Sequence, residues 1–130
     1  MSEEALAALG TEKAFSICIA FIKSGGDDGK GTGVSNAMGQ GQDERKALYK
    51  WYKQATEGDV QGERPGLIGA TMKMGGPIAG AELCMKYDAW ASVKGASKDD
   101  AMRNYGAEIV KQCASCERDG VLLRFISAQP

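Results

Sequence analysis

The stretch LYKWYKQATEGDVQGERPG, residues 48–66, carries most of the structural information in the chain. It predicts a helix that ends at Gly58 and is followed by a rigid Arg-Pro-Gly turn. Tyr49, Tyr52 and Lys53 stand at positions i, i+3 and i+4, so they share one face of this helix. Such a face can hold a flat ring against tyrosine while the ammonium group meets a neighbouring phosphate. An amphipathic helix with half-buried tyrosines fits the same spacing, and spacing alone does not separate the two interpretations.

The composition indicates a single globular domain over residues 1–130, with 43% hydrophobic and 25% charged residues. The formal net charge of −1 argues against a nucleic-acid-binding protein, because such proteins carry a basic excess that meets the phosphate backbone. No apolar run approaches the roughly 20 residues that a membrane span needs. The acidic start MSEEALAALG lacks the basic segment of a secretory signal. We therefore expect a cytoplasmic protein without stable membrane insertion.

The hydrophobic pattern predicts an all-α protein, because no segment sustains the alternation that is typical of a strand. Thr11 is the expected N-cap of the first helix, and Ser97 is the expected N-cap of the last one. The end of the chain, residues 120–130, extends that last helix after a break or packs as an irregular strip. Four helices are predicted, over residues 11–23, 43–57 and 86–95 and from Ser97 onward.

Two segments between the predicted helices are expected to be long connections. Residues 24–42 are rich in glycine and show no periodicity, which predicts a flexible loop. This loop does not match a phosphate-binding loop, because Lys30 is followed by Gly31 where serine or threonine is needed. Residues 64–85 mix glycine, proline and small apolar residues, and they also predict a connection.

The side chains of the sequence give little support to an enzyme. Histidine is absent, which removes the usual general base near neutral pH and the commonest metal ligand. The Cys113-x-x-Cys116 spacing suits zinc or redox chemistry, but zinc needs two more ligands and a redox motif expects a βαβ context. We interpret these cysteines, together with Cys18 and Cys84, as free thiols that pack like small apolar residues. No catalytic residue, metal or cofactor is therefore expected.

Five sequence blocks carry a resemblance to a known family. The blocks Tyr-Lys-Gln-Ala-Thr, Gly-Asp, Glu-Arg-Pro-Gly, Asp-Ala-Trp and Lys-Gly-x-Ser-Lys-x-Asp-Ala-Met occur together and in order. With them, residues 43–111 resemble the acyl-CoA-binding protein family. The resemblance implies a four-helix, up-down-down-up bundle that binds long-chain fatty acyl-CoA esters non-covalently and performs no reaction on them. We expect this protein to be a monomer.

The resemblance also implies which residues bind the ligand. In the family, a tyrosine and a lysine of the second helix and a lysine of the third hold the adenosine 3′-phosphate, and a tyrosine of the fourth helix contacts the ligand. The acyl chain lies in an apolar groove, where each buried methylene contributes about 0.8 kcal/mol. Asp59, Glu63, Arg64 and Pro65 are expected to fix the loop after the second helix, and Gln54 is expected to be structural. The implied ligand-binding residues are Lys23, Tyr49, Tyr52, Lys53, Lys86 and Tyr105.

The chain departs from the family pattern at several positions. Insertions are expected at about residues 24–42 and 69–85, and an extension at about residues 119–130. Lys46 stands where the family has a leucine, and Tyr87 stands where it has a tryptophan. We expect the apolar side chains of the second insertion to pack partly over the end of the acyl groove.

Two alternative functions remain open at the level of the sequence. One is a helical protein-interaction module whose ligand binding is degenerate. The other is a thiol-dependent redox protein that uses Cys113 and Cys116.

Overall fold

The computed structural model of the chain describes residues 2–24 and 40–129, which form seven α-helices. The all-α prediction is confirmed, since neither described segment contains a strand. Most of the predicted glycine-rich loop falls on residues 25–39, which lie outside the described residues. In chain order the helices are α1 (Ser2–Leu9), α2 (Thr11–Lys23), α3 (Gln42–Glu57), α4 (Leu67–Met74), α5 (Pro77–Ala91), α6 (Lys98–Ser115) and α7 (Asp119–Ser127).

The ends of the predicted helices are largely where the sequence placed them. Helix α3 ends at Gly58, and the Ser97 hydroxyl accepts a hydrogen bond of 3.0 Å from the backbone N–H of Asp100 at the start of α6. The prediction of Thr11 as an N-cap is wrong. Gly10 is the N-cap of α2, with a φ of 86° and a carbonyl that accepts a 3.0 Å bond from the N–H of Ala14. A single glycine thus joins α1 to α2, because its positive φ turns the chain sharply.

The prediction of a long connection over residues 64–85 is also wrong, because α4 and the first half of α5 occupy it. Gly75 ends α4 in the left-handed conformation with a φ of 79°, and Pro77 begins α5. The two helices lie very close together. A Cβ atom added to Gly80 would lie 2.5 Å from the backbone nitrogen of Thr71. Gly80 therefore serves helix packing and Gly75 ends a helix, and the predicted total of four helices is too small.

The core lies around α6, which packs against α1, α2, α3 and α7. Phe21 of α2 and Phe125 of α7 meet edge to face, with ring centroids 5.2 Å apart. Helix α1 also packs against α7, where the Ser2 hydroxyl donates a 3.0 Å hydrogen bond to the carbonyl of Asp119. The end of the chain is therefore a core helix. The largest fully buried side chains are Phe21, Ile109, Leu122, Gln54, Cys18, Cys113 and Ser2.

Helix α4 packs against α5 and against no other helix of the described segments. Ile68, Met72 and Ile78 are 80%, 80% and 85% exposed. These three side chains therefore do not pack over a groove, whereas Met85 at the end of the same predicted insertion lines a cavity between α3 and α5. The contacts between α4 and α5 are made on the opposite face, by small residues such as Ala70 and Gly80.

Candidate functional site

The ring of Tyr49 on α3 has two ammonium groups close to it. The Nζ atom of Lys53 is 6.0 Å from the ring centroid, and the Nζ atom of Lys86, on α5, is 5.7 Å from it. Lys53 also lies 5.1 Å from the ring centroid of Trp90. These distances are in the range of cation–π attraction. The packing of α3 on α5 thus joins two predicted lysines around one predicted tyrosine, and adds Trp90, which the sequence did not suggest.

Lys53 already has an anionic partner. Its ammonium group donates a hydrogen bond to the carboxylate of Glu57, one helical turn further along α3. This hydrogen bond raises the pKa of Lys53 above its usual value. Because an ammonium group has three donors, Lys53 can hold Glu57 and still offer a donor to a phosphate. Glu57 therefore orients the lysine, and it also lowers the positive charge that a ligand meets.

Tyr52 and Tyr105 belong to a second aromatic cluster that is completed by Phe15. Tyr105 lies 5.2 Å from Phe15 and 6.2 Å from Tyr52 between ring centroids. Burial raises the pKa of the Tyr105 hydroxyl, with smaller effects from Cys18 and Tyr52. Tyr105 is 4% exposed and Tyr52 is 38% exposed. Tyr52 is thus the exposed member of the cluster, while Tyr105 packs against it from the interior.

Lys23 stands apart from the other predicted residues. It is exposed at the C-terminal end of α2, eight positions after Phe15. That spacing corresponds to about 12 Å along the helix axis. No hydrogen bond, ion pair or ring contact joins Lys23 to the other predicted residues in the part of the chain that the structure describes. The structure therefore brings five of the six residues into two adjoining clusters.

A cavity of about 460 Å³ opens beside Tyr49 and Lys86, between α3 and α5. We call it the site cavity. Among its walls, Met85 is the aliphatic side chain, whereas Glu82 pairs with Lys86 at 3.7 Å and Lys46 pairs with Asp43 at 3.5 Å. The cavity is consequently more polar than the apolar groove that the resemblance implies. Its lining residues are Gln42, Arg45, Lys46, Tyr49, Glu82, Met85 and Lys86.

Gln54 fixes the end of α3 beneath the site, as expected of a structural residue. It is buried, and its amide nitrogen donates to the carboxylate of Asp59 at 2.8 Å and to the carbonyl of Ala96 at 2.9 Å. Asp59 also accepts a 2.8 Å bond from the N–H of Gly95. The bonds from Gly95 and Gln54 lower the pKa of the Asp59 carboxyl. This network ties the loop after α3 to the loop before α6, so it holds α3 and α5 in register.

Arg64 fixes the loop after α3, as the sequence predicted, and it does so by pairing with a carboxylate. Its guanidinium group makes a two-pronged contact with Asp88 of α5, at 2.7 and 3.0 Å. This partner lowers the pKa of the Asp88 carboxyl. The Tyr87 hydroxyl donates a 2.7 Å bond to the carbonyl of Gly62 in the same loop. Two anchors therefore hold the loop against α5 close to the site cavity.

The comparison with known protein families covers the part of the chain that contains this site. A sequence profile described as "Acyl CoA binding protein" matches residues 12–109, which include both aromatic clusters and the site cavity. The chain belongs to the acyl-CoA-binding protein family. Membership supports acyl-CoA binding. The proteins of this family are binding proteins rather than enzymes.

Relatives and a solved structure agree with this membership. An acyl-CoA-binding protein of Gossypium hirsutum is 40% identical over 63 residues, which are 48% of this chain and 58% of that protein. Acyl-CoA-binding domain-containing protein 1 of Oryza sativa subsp. japonica is 41% identical over 58 residues, which are 45% of this chain and 52% of that protein. The matches thus span little more than half of these relatives. A crystal structure of ACBP from Moniliophthora perniciosa is similar with a TM-score of 0.60 at 29% identity, covering 88% of this chain and 93% of that one. The predicted bundle of the acyl-CoA-binding protein type is confirmed.

The four cysteines of this family member are free. Burial raises the pKa of both Cys18 and Cys113 to about 12, so neither forms a reactive thiolate at neutral pH. Cys116 hydrogen-bonds through its sulfur to the carbonyl of Cys113, inside the same helix end. These observations speak against the alternative of a thiol-dependent redox protein. No group of three or more histidine, cysteine or acidic side chains in the described segments is arranged to hold a metal ion.

The raised thiol pKa values predict how stability depends on pH. Between pH 9 and about 12 the unfolded thiols lose protons while the folded ones keep theirs, so the free energy of unfolding should fall as the pH rises. Below pH 9 the thiols contribute no slope. Urea unfolding at several pH values should show a shallower decline for the Cys18→Ala/Cys113→Ala variant. An identical slope in the double variant would contradict the assignment, since Tyr105 and Lys53, whose pKa values are also raised, would then account for the trend.

The polar wall of the site cavity gives a second prediction. Replacing Lys46 with leucine should tighten the binding of palmitoyl-CoA by about 1 kcal/mol, or roughly fivefold, because apolar contacts replace a charged side chain. Butyryl-CoA, whose chain is too short to use those contacts, should bind the variant and the natural protein equally. Calorimetric titration of both ligands tests this. A loss of affinity for both would show instead that Lys46 contacts the CoA phosphates.

Proposed function

We propose that the chain binds, buffers and transports medium- to long-chain fatty acyl-CoA esters in the cytoplasm, as a monomer and without chemical change to the ester. The supporting observation is the Tyr49 ring with the ammonium groups of both Lys53 and Lys86 close to it, beside an open cavity. This arrangement suits a ligand that joins a flat base, a phosphate and an apolar chain. The acyl-CoA is a ligand in this proposal, and the role requires no cofactor or metal.

In this proposal the parts of the ligand meet different residues. Lys53 and Lys86 hold the adenosine 3′-phosphate by charge-assisted hydrogen bonds. Tyr49 and Tyr52 offer their rings to the adenine, while Tyr105 positions Tyr52 from the interior. The acyl chain enters the site cavity and gains apolar contact with Met85 and with the stems of the lysines lining it. Lys23 meets the ligand at its periphery, given its exposed position on α2.

Three ligands test this function. Palmitoyl-CoA should bind with a one-to-one stoichiometry in calorimetry. Palmitoyl-dephospho-CoA should bind at least about tenfold more weakly, because one charged hydrogen-bond partner is worth about 1.5–3 kcal/mol. Free palmitate should bind poorly, since it lacks the nucleotide. Equal affinity for the first two ligands would mean that the lysines do not hold the 3′-phosphate.

A further inference from the structure

The structure exposes an unusual apolar surface at one end of the molecule. We call α4 together with the first turn of α5, residues 67–81, the apolar hairpin. It carries five of the six large hydrophobic side chains that are exposed among the described residues, and Tyr52 is the sixth. Clusters of this kind are typical of interaction sites in soluble proteins. The five residues are Leu67, Ile68, Met72, Met74 and Ile78.

The apolar hairpin is held together by contacts that leave its outer face unused. The close approach of Gly80 to Thr71 and the burial of Ala70 fix α4 on α5. The buried Cys84 thiol donates a 3.3 Å hydrogen bond to the carbonyl of Pro65, which ties the hairpin to its base. The outward side chains are thus not needed to close the hairpin, and the fold presents them to the surroundings.

The charge around this surface points to the kind of partner. Between residues 65 and 81 there is no aspartate or glutamate, and Lys73 is the one charged residue, although 25% of the whole chain is charged. Apolar side chains with an accompanying cation suit the surface of an anionic bilayer. A stable protein interface uses about 20–30 residues on each side, far more than these five side chains supply.

The apolar hairpin is also continuous with the site cavity. Ile78, Glu82 and Lys86 follow at steps of four residues, so they share one exposed face of α5. The distance from Ile78 to Lys86 is about 12 Å along the helix. An amphiphile that leaves a bilayer at the hairpin therefore has a short path along this face to the cavity.

We propose that the apolar hairpin docks reversibly on anionic lipid bilayers by inserting its isoleucine and methionine side chains among the head groups. Docking places the site cavity next to the lipid surface from which an acyl-CoA is taken up. The purpose of the docking rests on the proposed function, whereas the docking itself does not. The attachment is peripheral, and no helix in the described segments is long and apolar enough to cross a bilayer.

Sedimentation with lipid vesicles tests the proposal. The natural chain should partition onto vesicles of phosphatidylcholine and phosphatidylserine in equal parts, and less onto phosphatidylcholine alone. The variant Ile68→Ser/Met72→Ser/Ile78→Ser should partition about tenfold less or lower, given the apolar area that it removes. Lys73→Glu should lower partitioning severalfold on the anionic vesicles only. Lys111→Glu, an equal charge change on the exposed side of α6, should leave it almost unchanged.

Several outcomes would overturn the docking proposal. Undiminished partitioning of the triple variant would exclude the apolar hairpin, and equal losses for Lys73→Glu and Lys111→Glu would show that only net charge matters. A concentration-dependent dimer that the triple variant abolishes, with no vesicle binding, would assign the surface to a second copy of the chain. Palmitoyl-CoA titration without vesicles separates the two proposals: the triple variant should keep the natural affinity. Vesicle binding without acyl-CoA affinity would support docking and refute the proposed function.

Discussion

Lys53→Ala is expected to weaken palmitoyl-CoA binding by about 1.5–3 kcal/mol, which is roughly a 10- to 150-fold rise in Kd. The ammonium group of Lys53 lies against both Tyr49 and Trp90, where it can meet a phosphate beside a stacked ring. Lys50→Ala is the matched control. Lys50 lies on the same helix, but its ammonium group is over the ring of Trp51 at 5.5 Å, on a different face. Its loss should change affinity by less than about 0.5 kcal/mol.

The partner of Lys53 complicates a single substitution, because removing the lysine leaves the Glu57 carboxylate beside the incoming phosphate. Glu57→Gln alone should tighten binding, since it frees the ammonium group from its internal partner. Comparing Lys53→Ala, Glu57→Gln and the double variant by calorimetry separates the lost attraction from the added repulsion. If Lys50→Ala and Lys53→Ala cost the same, the effect is one of overall charge and Lys53 is not part of the site.

Ile109→Ala should lower the free energy of unfolding by about 2–5 kcal/mol, because the side chain is 0% exposed and its removal leaves a cavity in the hydrophobic core. Ile68→Ala makes the same chemical change on α4, where the side chain is 80% exposed. That variant should cost less than about 0.5 kcal/mol. Urea unfolding of the two variants measures both values. A large loss in Ile68→Ala would show that the apolar hairpin is part of the core after all.

Local sequence signals predicted much of the fold. Two examples are helix α3 with its stop at Gly58 and the N-cap at Ser97. Each depends only on neighbouring residues, so the local sequence was enough to place it. Gln54 was also correctly judged structural, since a buried amide between two loops has little room for a ligand. The five motif blocks indicated the family before any geometry was known.

The errors arose where small residues support packing across distance. Glycine is a weak helix former, so the sequence of residues 64–85 predicted a connection, but Gly80 lies in a helix because only glycine fits against Thr71. The Gly75-Gly76-Pro77 sequence is a helix stop followed by a helix start, and this signal was available in the sequence.

The electrostatics of the site could not be predicted from spacing. The contact of Lys53 with Trp90 and of Lys86 with Tyr49 depends on how α3 and α5 meet, which no local pattern fixes. The burial of the Tyr105 side chain depends likewise on its contact with Phe15, which is 90 positions away in the chain. Among the polar residues that line the site cavity, the sequence drew attention to Lys46, Tyr49 and Lys86. It did not indicate Gln42, Arg45 or Glu82.

The pairing of α1 with α7 has a consequence for the making of the protein on the ribosome. Ser2 and Asp119, which are joined by a hydrogen bond, are 117 positions apart in the chain. Phe21 of α2 packs against Phe125, which also belongs to α7. Until α7 has been translated, Phe21 on α2 therefore lacks the aromatic ring that packs against it in the folded protein. A chain released before α7 is translated would keep that face open to chaperones and proteases, which act on exposed apolar surface. The part of the core that α7 completes can therefore close only after α7 has been made.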